Sequence, residues 1–204
     1  MCGIVGITSS KEVSSRIIGS LKKLEYRGYD SAGIATISEN NINEVKCEGR
    51  VNELEKNVNQ INLSGTIGIG HVRWATHGKP STINAHPHSS DNVSVVHNGI
   101  IENSTILKKI LEKKGYKFKS QTDTEVIVHL VTDYLKKNNL KDTIIKVLKK
   151  LHGSFALGII FKDQPDLIIG ARRGSPLAVG YGPDEHYLGS DSYALKSMTN
   201  KISY

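Results

Sequence analysis

Three amphipathic helix patterns follow one another near residues 104–114, 123–137 and 141–151, without a strand pattern between them. Each repeats apolar residues three and four positions apart, which places them on one face of a helix. On both sides of this block the chain reads mainly as strands, near 2–8, 32–38, 43–48, 66–74, 93–97, 154–161, 166–172, 176–180 and 186–189. Because strands and helices are gathered in separate blocks, we predict an α+β fold rather than a βαβ repeat.

The first block of strands is interrupted by two further helix patterns, near residues 11–25 and 51–59. An Asn-rich turn between residues 38 and 43 suits a β-hairpin. Residues 122–125 (TDTE) fit a capping box that would open the second of the three consecutive helices. Since no linker, repeat or low-complexity tract divides the sequence, residues 1–204 are expected to form one domain. The abrupt end at Tyr204 leads us to expect that this domain is cut from a longer protein.

The composition is typical of a globular protein, with 38% hydrophobic and 23% charged residues. No apolar run approaches the ~18 residues that a membrane span needs, and the N-terminus does not read as a secretory signal. We therefore expect a cytoplasmic protein with no membrane partner, in which Cys2 and Cys47 stay free thiols. The net charge of +7 comes with lysine pairs on helix faces and without interleaved aromatic residues, so no nucleic-acid partner is expected.

Cys2 is the first candidate for chemistry. Removal of Met1, which is normal before a small second residue, would leave Cys2 with a free α-amine. The pKa of such an amine lies near ~7.7–8.0, so it could accept the proton of the neighbouring thiol during nucleophilic catalysis. Taken alone, however, Cys2 fits better as a small buried residue that opens a strand.

Three further segments each allow a functional and a purely structural interpretation. Residues 73–80 (RWATHGKP) form a loop in which Arg73 could bind a carboxylate through its planar guanidinium, or which is simply a surface loop. Asn98 and Gly99 could form an oxyanion hole, although an Asn-Gly pair after a strand is more often a turn. Asp123 could hold an ammonium group, or merely benefit from the dipole of a helix N-terminus.

The histidines raise the question of a metal, because five of them fall between residues 71 and 97. They show neither the H-E-x-x-H spacing nor a cysteine–histidine zinc pattern. We therefore expect no catalytic metal and interpret Cys47 as structural.

Six motifs, taken in order, resemble the N-terminal-nucleophile glutamine amidotransferases. They are residues 2–6 (CGIVG), 24–33 (LEYRGYDSAG), 73–78 (RWATHG), 86–88 (HPH), 97–103 (HNGIIEN) and 122–125 (TDTE). The likeness continues through residues 173–177 (RGSPL) and 189–191 (GSD), so that it covers nearly the whole chain. The sequences YRGY at 26–29 and WAT at 74–76 resemble those of the glucosamine-6-phosphate synthase branch of this family. Amidophosphoribosyltransferases and asparagine synthetases differ in these blocks.

The resemblance implies a four-layer αββα sandwich and a set of residue roles. Cys2 would attack the side-chain amide of L-glutamine, with its α-amine as the base, while Asn98 and the Gly99 backbone stabilise the oxyanion. Arg73 would bind the α-carboxylate of the substrate and Asp123 its α-ammonium group. The remaining implied positions are Thr76 and His77 in the binding loop, Trp74 closing the pocket, and Arg27 and His86 in support.

The resemblance also implies what the chain does and does not do alone. It would hydrolyse glutamine through a thioester without a cofactor. Fructose 6-phosphate would be a partner only through sugar-isomerase domains that this chain does not contain, and the full-length protein would be a homo-oligomer. Two alternatives stay open: the glutaminase domain of another amidotransferase, such as an amidophosphoribosyltransferase, or a catalytically silent domain that senses glutamine.

Overall fold

Two antiparallel β-sheets pack face to face, each covered by helices on its outer side, in the computed structural model, which describes residues 2–204. In chain order the strands are β1 (Gly3–Thr8), β2 (Ser31–Ser38), β3 (Asn41–Glu48), β4 (Ile67–Arg73), β5 (His88–Ser89), β6 (Val93–Ile101), β7 (Gly153–Phe161), β8 (Gln164–Arg173), β9 (Ala178–Gly182), β10 (Glu185–Gly189) and β11 (Lys201–Ser203). The first sheet has the order β11-β9-β10-β1-β4-β2-β3 and the second the order β5-β6-β7-β8. This arrangement confirms the expected α+β sandwich of four layers.

The helices divide between the two outer faces. They are α1 (Ser14–Leu24), α2 (Val51–Ile61), α3 (Ser104–Lys113), α4 (Glu125–Leu135), α5 (Leu140–Lys150) and α6 (Ser192–Leu195), with a single 3₁₀ turn at Glu25–Arg27. The helices α1, α2 and α6 share one apolar cluster with the first sheet, and α3, α4 and α5 share another with the second. A third cluster fills the space between the sheets, where Ile4 and Ile69 meet Val96 and Ile160. Burial on these three interfaces holds the layers in place.

The predicted helices and longer strands agree with the structure to within a few residues. The expected hairpin joins β2 to β3, and its turn residues Glu39 and Asn40 have φ values of 50° and 56°. Such positive values at both positions suit the twist of a tight hairpin. The patterns did not reveal β5, α6 or β11, because elements of two to four residues are too short to show a period.

The capping box expected at residues 122–125 is wrong. Helix α4 begins at Glu125, and its N-cap residue Thr124 makes no side-chain capping hydrogen bond. The Glu125 carboxylate instead accepts hydrogen bonds from the backbone N–H groups of Lys119 and Ser120, at 2.9 and 2.7 Å. Although burial raises the pKa of this carboxyl, the nearby His129 ring, 3.5 Å away, and the hydrogen bonds from Lys119 and Ser120 bring it down to about 2. Glu125 therefore stabilises the turn before the helix rather than the N-cap.

The described residues can also be searched for disulfides, membrane-spanning helices and metal sites. Cys2 and Cys47 are free thiols. Among the helices of residues 2–204, none is both long and apolar enough to span a membrane. Over the same residues, no group of three or more histidine, cysteine or acidic side chains is arranged to hold a metal ion.

The cluster between the sheets gives a test of the layered packing. Ile69 is fully buried there, so Ile69→Ala should lower the free energy of unfolding by about 2–5 kcal/mol, because it removes apolar contacts and leaves a cavity. Ile110 on α3 is 48% exposed, and Ile110→Ala should change the free energy of unfolding by no more than ~0.5 kcal/mol. Urea denaturation of both variants measures the difference. Equal effects would contradict the assignment of this interface as core.

Candidate active site

Cys2 lies directly before β1, a central strand that pairs with β4 on one side and β10 on the other. Its sulfur contacts the backbone of Trp74, whose N–H donates to Sγ at 3.3 Å and whose carbonyl oxygen lies 3.5 Å from Sγ. Burial raises the pKa of the Cys2 thiol. The thiol therefore needs a neighbouring base before it can act as a nucleophile.

Two side chains hold the backbone carbonyl of Cys2. The Nε of Arg27 and the Nδ2 of Asn98 each donate to this oxygen at 3.0 Å. Arg27 is held in turn by an ion pair with Asp191, at 3.2 Å. Arg27, expected to support the site, thus lies one contact away from the thiol and fixes the main chain that carries it.

Asn98 and Gly99 lie inside β6, where they pair with Ala156 and Phe155 of β7. The interpretation of this pair as a turn is therefore wrong, because sheet pairing overrides the local turn preference. Gly99 has a φ of 119°, and a Cβ added there would lie 2.1 Å from the carbonyl oxygen of Ser154. Glycine is required at this position both for the backbone conformation and for the close approach of the two strands.

Arg73 ends β4 and is only 4% exposed. Its guanidinium donates hydrogen bonds to the carbonyl oxygens of the following loop, at His77, at Gly78 (3.0 Å) and at Lys79 (3.4 Å). The start of the loop is held from the other side by Asp30, whose carboxylate accepts hydrogen bonds from the Ala75 N–H and the Ser31 hydroxyl. The motif containing Asp30 was noted in the sequence, but no role was assigned to this residue.

Asp123 is 9% exposed and precedes helix α4. One carboxylate oxygen accepts a hydrogen bond from the Ile101 N–H at 2.7 Å. The other lies 4.0 Å from Nδ1 of His97, and burial lowers the pKa of that imidazole. The Asp123 carboxylate is therefore held at the end of β6, and its second oxygen accepts no backbone hydrogen bond among residues 2–204.

One cavity brings these parts of the chain together. The predicted residues that line it are Cys2, Arg73, Trp74, Thr76, His77, His86, Gly99 and Asp123. Asn98 and Arg27 join the group through the carbonyl of Cys2. His97, Thr122 and Thr124 also line the cavity, and sequence reasoning assigned them no role although they lie within the motifs it used.

The cavity brings a thiol, a guanidinium and a carboxylate together within a small volume. Its open space is about 20 Å³, which is roughly the room needed by one water molecule. An amino acid needs more room than this, and an outward movement of the loop after Arg73 would provide it. The exposure of this loop agrees with such a movement, since the side chains of Thr76 and His77 are exposed and the Trp74 indole is 48% exposed, packed edge-on against Tyr29.

The chain is similar to known proteins over this region and beyond. A family model described as a glutamine amidotransferase domain matches residues 72–197. Over its full length the chain is 53% identical to the glutamine–fructose-6-phosphate aminotransferase (isomerizing) of Bradyrhizobium diazoefficiens and 52% identical to that of Clostridium acetobutylicum. It covers 34% of each of these two proteins. The chain thus spans about a third of the length of these curated relatives.

A solved structure shows the same arrangement of layers. The glutamine phosphoribosylpyrophosphate amidotransferase from B. subtilis, complexed with ADP and GMP, matches with a TM-score of 0.82 at 31% identity. The match covers 96% of this chain and 43% of that one. The two sheets and the helical layers described above are therefore an architecture shared with this enzyme.

The conformation of Gly99 gives a test of the site's construction. Gly99→Ala should lower the free energy of unfolding by at least ~1–3 kcal/mol, because the new Cβ meets backbone at 2.1 Å and the φ is positive. A matched control is Gly19→Ala in α1, where a Cβ meets nothing within 4 Å. This change should stabilise the helix by about 0.5–1 kcal/mol. Thermal or urea unfolding of both variants distinguishes them, and a Gly99→Ala protein as stable as the wild type would refute the account.

Proposed function

Because the chain belongs to the glutamine amidotransferase domain family, we propose that it hydrolyses L-glutamine at Cys2 and releases glutamate and ammonia. The observation that carries this proposal is the convergence of Cys2, Arg73, Gly99 and Asp123 on one cavity. A free amino acid presents one carboxylate and one ammonium group, which a fixed cation and a fixed anion can bind. A neutral amide needs an activated thiol and donors for the oxyanion.

The reaction begins with removal of a proton from the thiol. After excision of Met1, the α-amine of Cys2 is carried by the same residue as the thiol and would act as the base, since its ordinary pKa lies close to working pH. The sulfur then forms a bond to the amide carbon of the substrate, and the carbonyl electrons move to oxygen. Asn98 Nδ2 carries two N–H groups, one of which donates to the Cys2 carbonyl. The other N–H, with the Gly99 backbone, would stabilise this oxyanion.

Collapse of the tetrahedral intermediate breaks the carbon–nitrogen bond. The leaving nitrogen takes the proton held by the α-amine and departs as ammonia, while the acyl group stays on sulfur as a thioester. Water then attacks the thioester with the same amine as base, giving glutamate and the free thiol. Two moderate barriers thereby replace the single high barrier of amide hydrolysis.

Substrate binding would exchange partners at Arg73. Its guanidinium is occupied by three carbonyl oxygens of the loop at residues 77–79. A carboxylate is a stronger acceptor, because it adds charge and matches the guanidinium geometry. The α-carboxylate of glutamine would therefore displace these carbonyls while Asp123 binds the ammonium group. Trp74, Thr76 and His77 lie in the loop whose movement would allow this exchange.

The ammonia would serve a second reaction outside the described residues. The relatives that share about half of the residues of this chain are named for the transfer of nitrogen to fructose 6-phosphate, and they are about three times as long. We infer that the domain supplies ammonia for the same amination, in a cytoplasmic homo-oligomer whose sugar-isomerase domains bind the sugar. Identity to the phosphoribosylpyrophosphate enzyme is lower, at 31%, which favours this branch over the purine one. A silent glutamine sensor is the remaining alternative, and the presence of Cys2, Asn98 and Asp123 argues against it.

Replacing the nucleophile tests the reaction. Cys2→Ala should reduce release of glutamate and ammonia from L-glutamine to background, because no thioester can form, while glutamine binding is largely kept. Cys47→Ala is the matched control, because Cys47 lies on the edge strand β3 and does not line the cavity. Turnover by this variant should equal that of the wild type. Coupled glutamate assays and isothermal calorimetry measure turnover and binding.

The same assay tests the α-amine. A protein that retains Met1 should be inactive, because the base is then an amide nitrogen. Normal turnover by either this protein or Cys2→Ala would refute the proposed mechanism. Absence of turnover in the wild type itself would leave the sensor as the better account.

Arg73 should act mainly in binding. Loss of its charged hydrogen bonds in Arg73→Ala should raise the KM for glutamine by roughly 10–100-fold with a smaller change in kcat. Arg172→Ala, at an exposed arginine of β8, is the control and should leave KM unchanged. An unchanged KM in Arg73→Ala would move the carboxylate site elsewhere.

A further inference from the structure

Four buried histidines cluster at the cavity: His86 and His97 line it, and His71 and His88 lie beside them. The ring of His86 is 4.3 Å from that of His71, 4.9 Å from that of His88 and 6.4 Å from that of His97. Burial lowers the pKa of all four, to about 3 for His71 and His88. Each ring is therefore neutral at neutral pH, with one nitrogen that donates a hydrogen bond and one that accepts.

The contacts of His71 fix which of its nitrogens carries the hydrogen. Its Nε2 lies 3.0 Å from the carbonyl oxygen of His97 and 3.0 Å from Oδ1 of Asn98. Both partners can only accept, so Nε2 must be the donor. His71 Nδ1 has no hydrogen-bond partner among residues 2–204, which agrees with a nitrogen that bears no hydrogen.

This donor determines how the Asn98 amide is turned. Oδ1 is held by His71, so the amide nitrogen faces the first sheet, where it donates to the Cys2 carbonyl at 3.0 Å. A flipped amide would place its oxygen against the Cys2 carbonyl and leave the His71 N–H without this acceptor. The flipped form would also present a negative dipole to an oxyanion, where a donor is required.

The other histidines hold the backbone next to Asn98. The N–H of His97 donates to Nδ1 of His86 at 3.4 Å, so the hydrogen of His86 is on Nε2. That N–H donates to Oγ1 of Thr124 at 3.1 Å, and the Thr124 hydroxyl donates to Nδ1 of His97 at 2.9 Å. These three bonds form a closed ring that begins and ends on the residue preceding Asn98. The position of Asn98 is thus fixed by the ring and its orientation by His71.

We propose that His71 is a positioning residue of the reaction, which turns the Asn98 amide so that one N–H donates to the Cys2 carbonyl and the other faces the oxyanion. His71 does not touch the substrate and acts only through Asn98. The inference rests on the proposed function, because it explains how His71 orients the oxyanion site before glutamine binds. A preorganised donor needs no reorientation during the reaction, whereas water molecules must reorient around the developing charge, so the protein donor stabilises the oxyanion at lower cost.

Two substitutions separate the hydrogen bond from the packing. His71→Met fills the site without a donor, and His71→Gln places an N–H near the position of Nε2. With His71→Met we expect kcat to fall on the order of 10–100-fold while the KM for glutamine changes by less than about twofold, because only the transition state loses stabilisation. His71→Gln should recover most of kcat. His88→Met, at a buried histidine that bonds Thr122 instead, is the packing control and should lower the melting temperature without this split.

A double mutant and a thiol probe test whether His71 acts through Asn98. Adding His71→Met to Asn98→Ala should lower kcat no further than Asn98→Ala does alone. Alkylation of Cys2 by iodoacetamide, measured in a Cys47→Ala background, needs no oxyanion site and should proceed at the wild-type rate in His71→Met. An independent further loss in the double mutant, or slowed alkylation, would overturn the assignment.

The tautomer can be read without any substitution. Long-range ¹H–¹⁵N NMR of the wild type should show His71 with its hydrogen on Nε2, and a hydrogen on Nδ1 instead would refute the proposal. The proposed function can fail separately. A wild type that hydrolyses glutamine beside a His71→Met variant with normal kcat would overturn the His71 assignment alone, whereas an inactive wild type would overturn both.

Discussion

The hydrogen bond from Asn98 to the carbonyl of Cys2 joins the two sheets at the place where the chemistry is proposed. Cys2 enters the first sheet and Asn98 belongs to the second, 96 positions later in the chain. The apolar cluster between the sheets sets their separation, so the geometry of the site depends on packing as well as on polar contacts. A nucleophile at the start of a central strand is accessible only from the edge of the sandwich, and the cavity lies there.

The polar groups behind this hydrogen bond are buried at considerable cost unless they are paired. The structure lowers that cost with neutral groups, because lowered pKa values keep the histidines uncharged. His71 Nε2 pairs with Asn98 and His97 Nδ1 with Thr124, whereas His71 Nδ1 and His97 Nε2 have no hydrogen-bond partner among residues 2–204. Among residues 2–204 the buried charged side chains besides histidine are Arg73, Asp123 and Glu125, and Glu125 stabilises the turn before α4. Arg73 and Asp123 are nearly buried, but both reach the cavity, where a zwitterionic substrate would pair them.

Sequence patterns predicted much of this fold, because the spacing of apolar residues in a helix or a strand indicates which of its faces is buried. They failed where local preference competes with distant contacts. The Asn98-Gly99 pair has a strong turn preference, yet pairing of β6 with β7 keeps it extended through the strand. Glu125 has the spacing of a capping box, yet it binds the turn at residues 119–120. The site residues were expected from resemblance to a family and not from periodicity. His71 and Asp30 went unassigned because their partners lie 27 and 45 positions away.

The central claim is that Cys2, as the first residue of the processed chain, forms a bond to the substrate. The most direct measurement is peptide mass spectrometry after incubation with a diazoketone analogue of glutamine, which alkylates a thiol held at the substrate's amide carbon. The account predicts a chain that begins at Cys2 and carries one adduct on that residue, prevented by excess glutamine. An adduct on Cys47, or an unmodified Cys2 in a chain that hydrolyses glutamine, would contradict it.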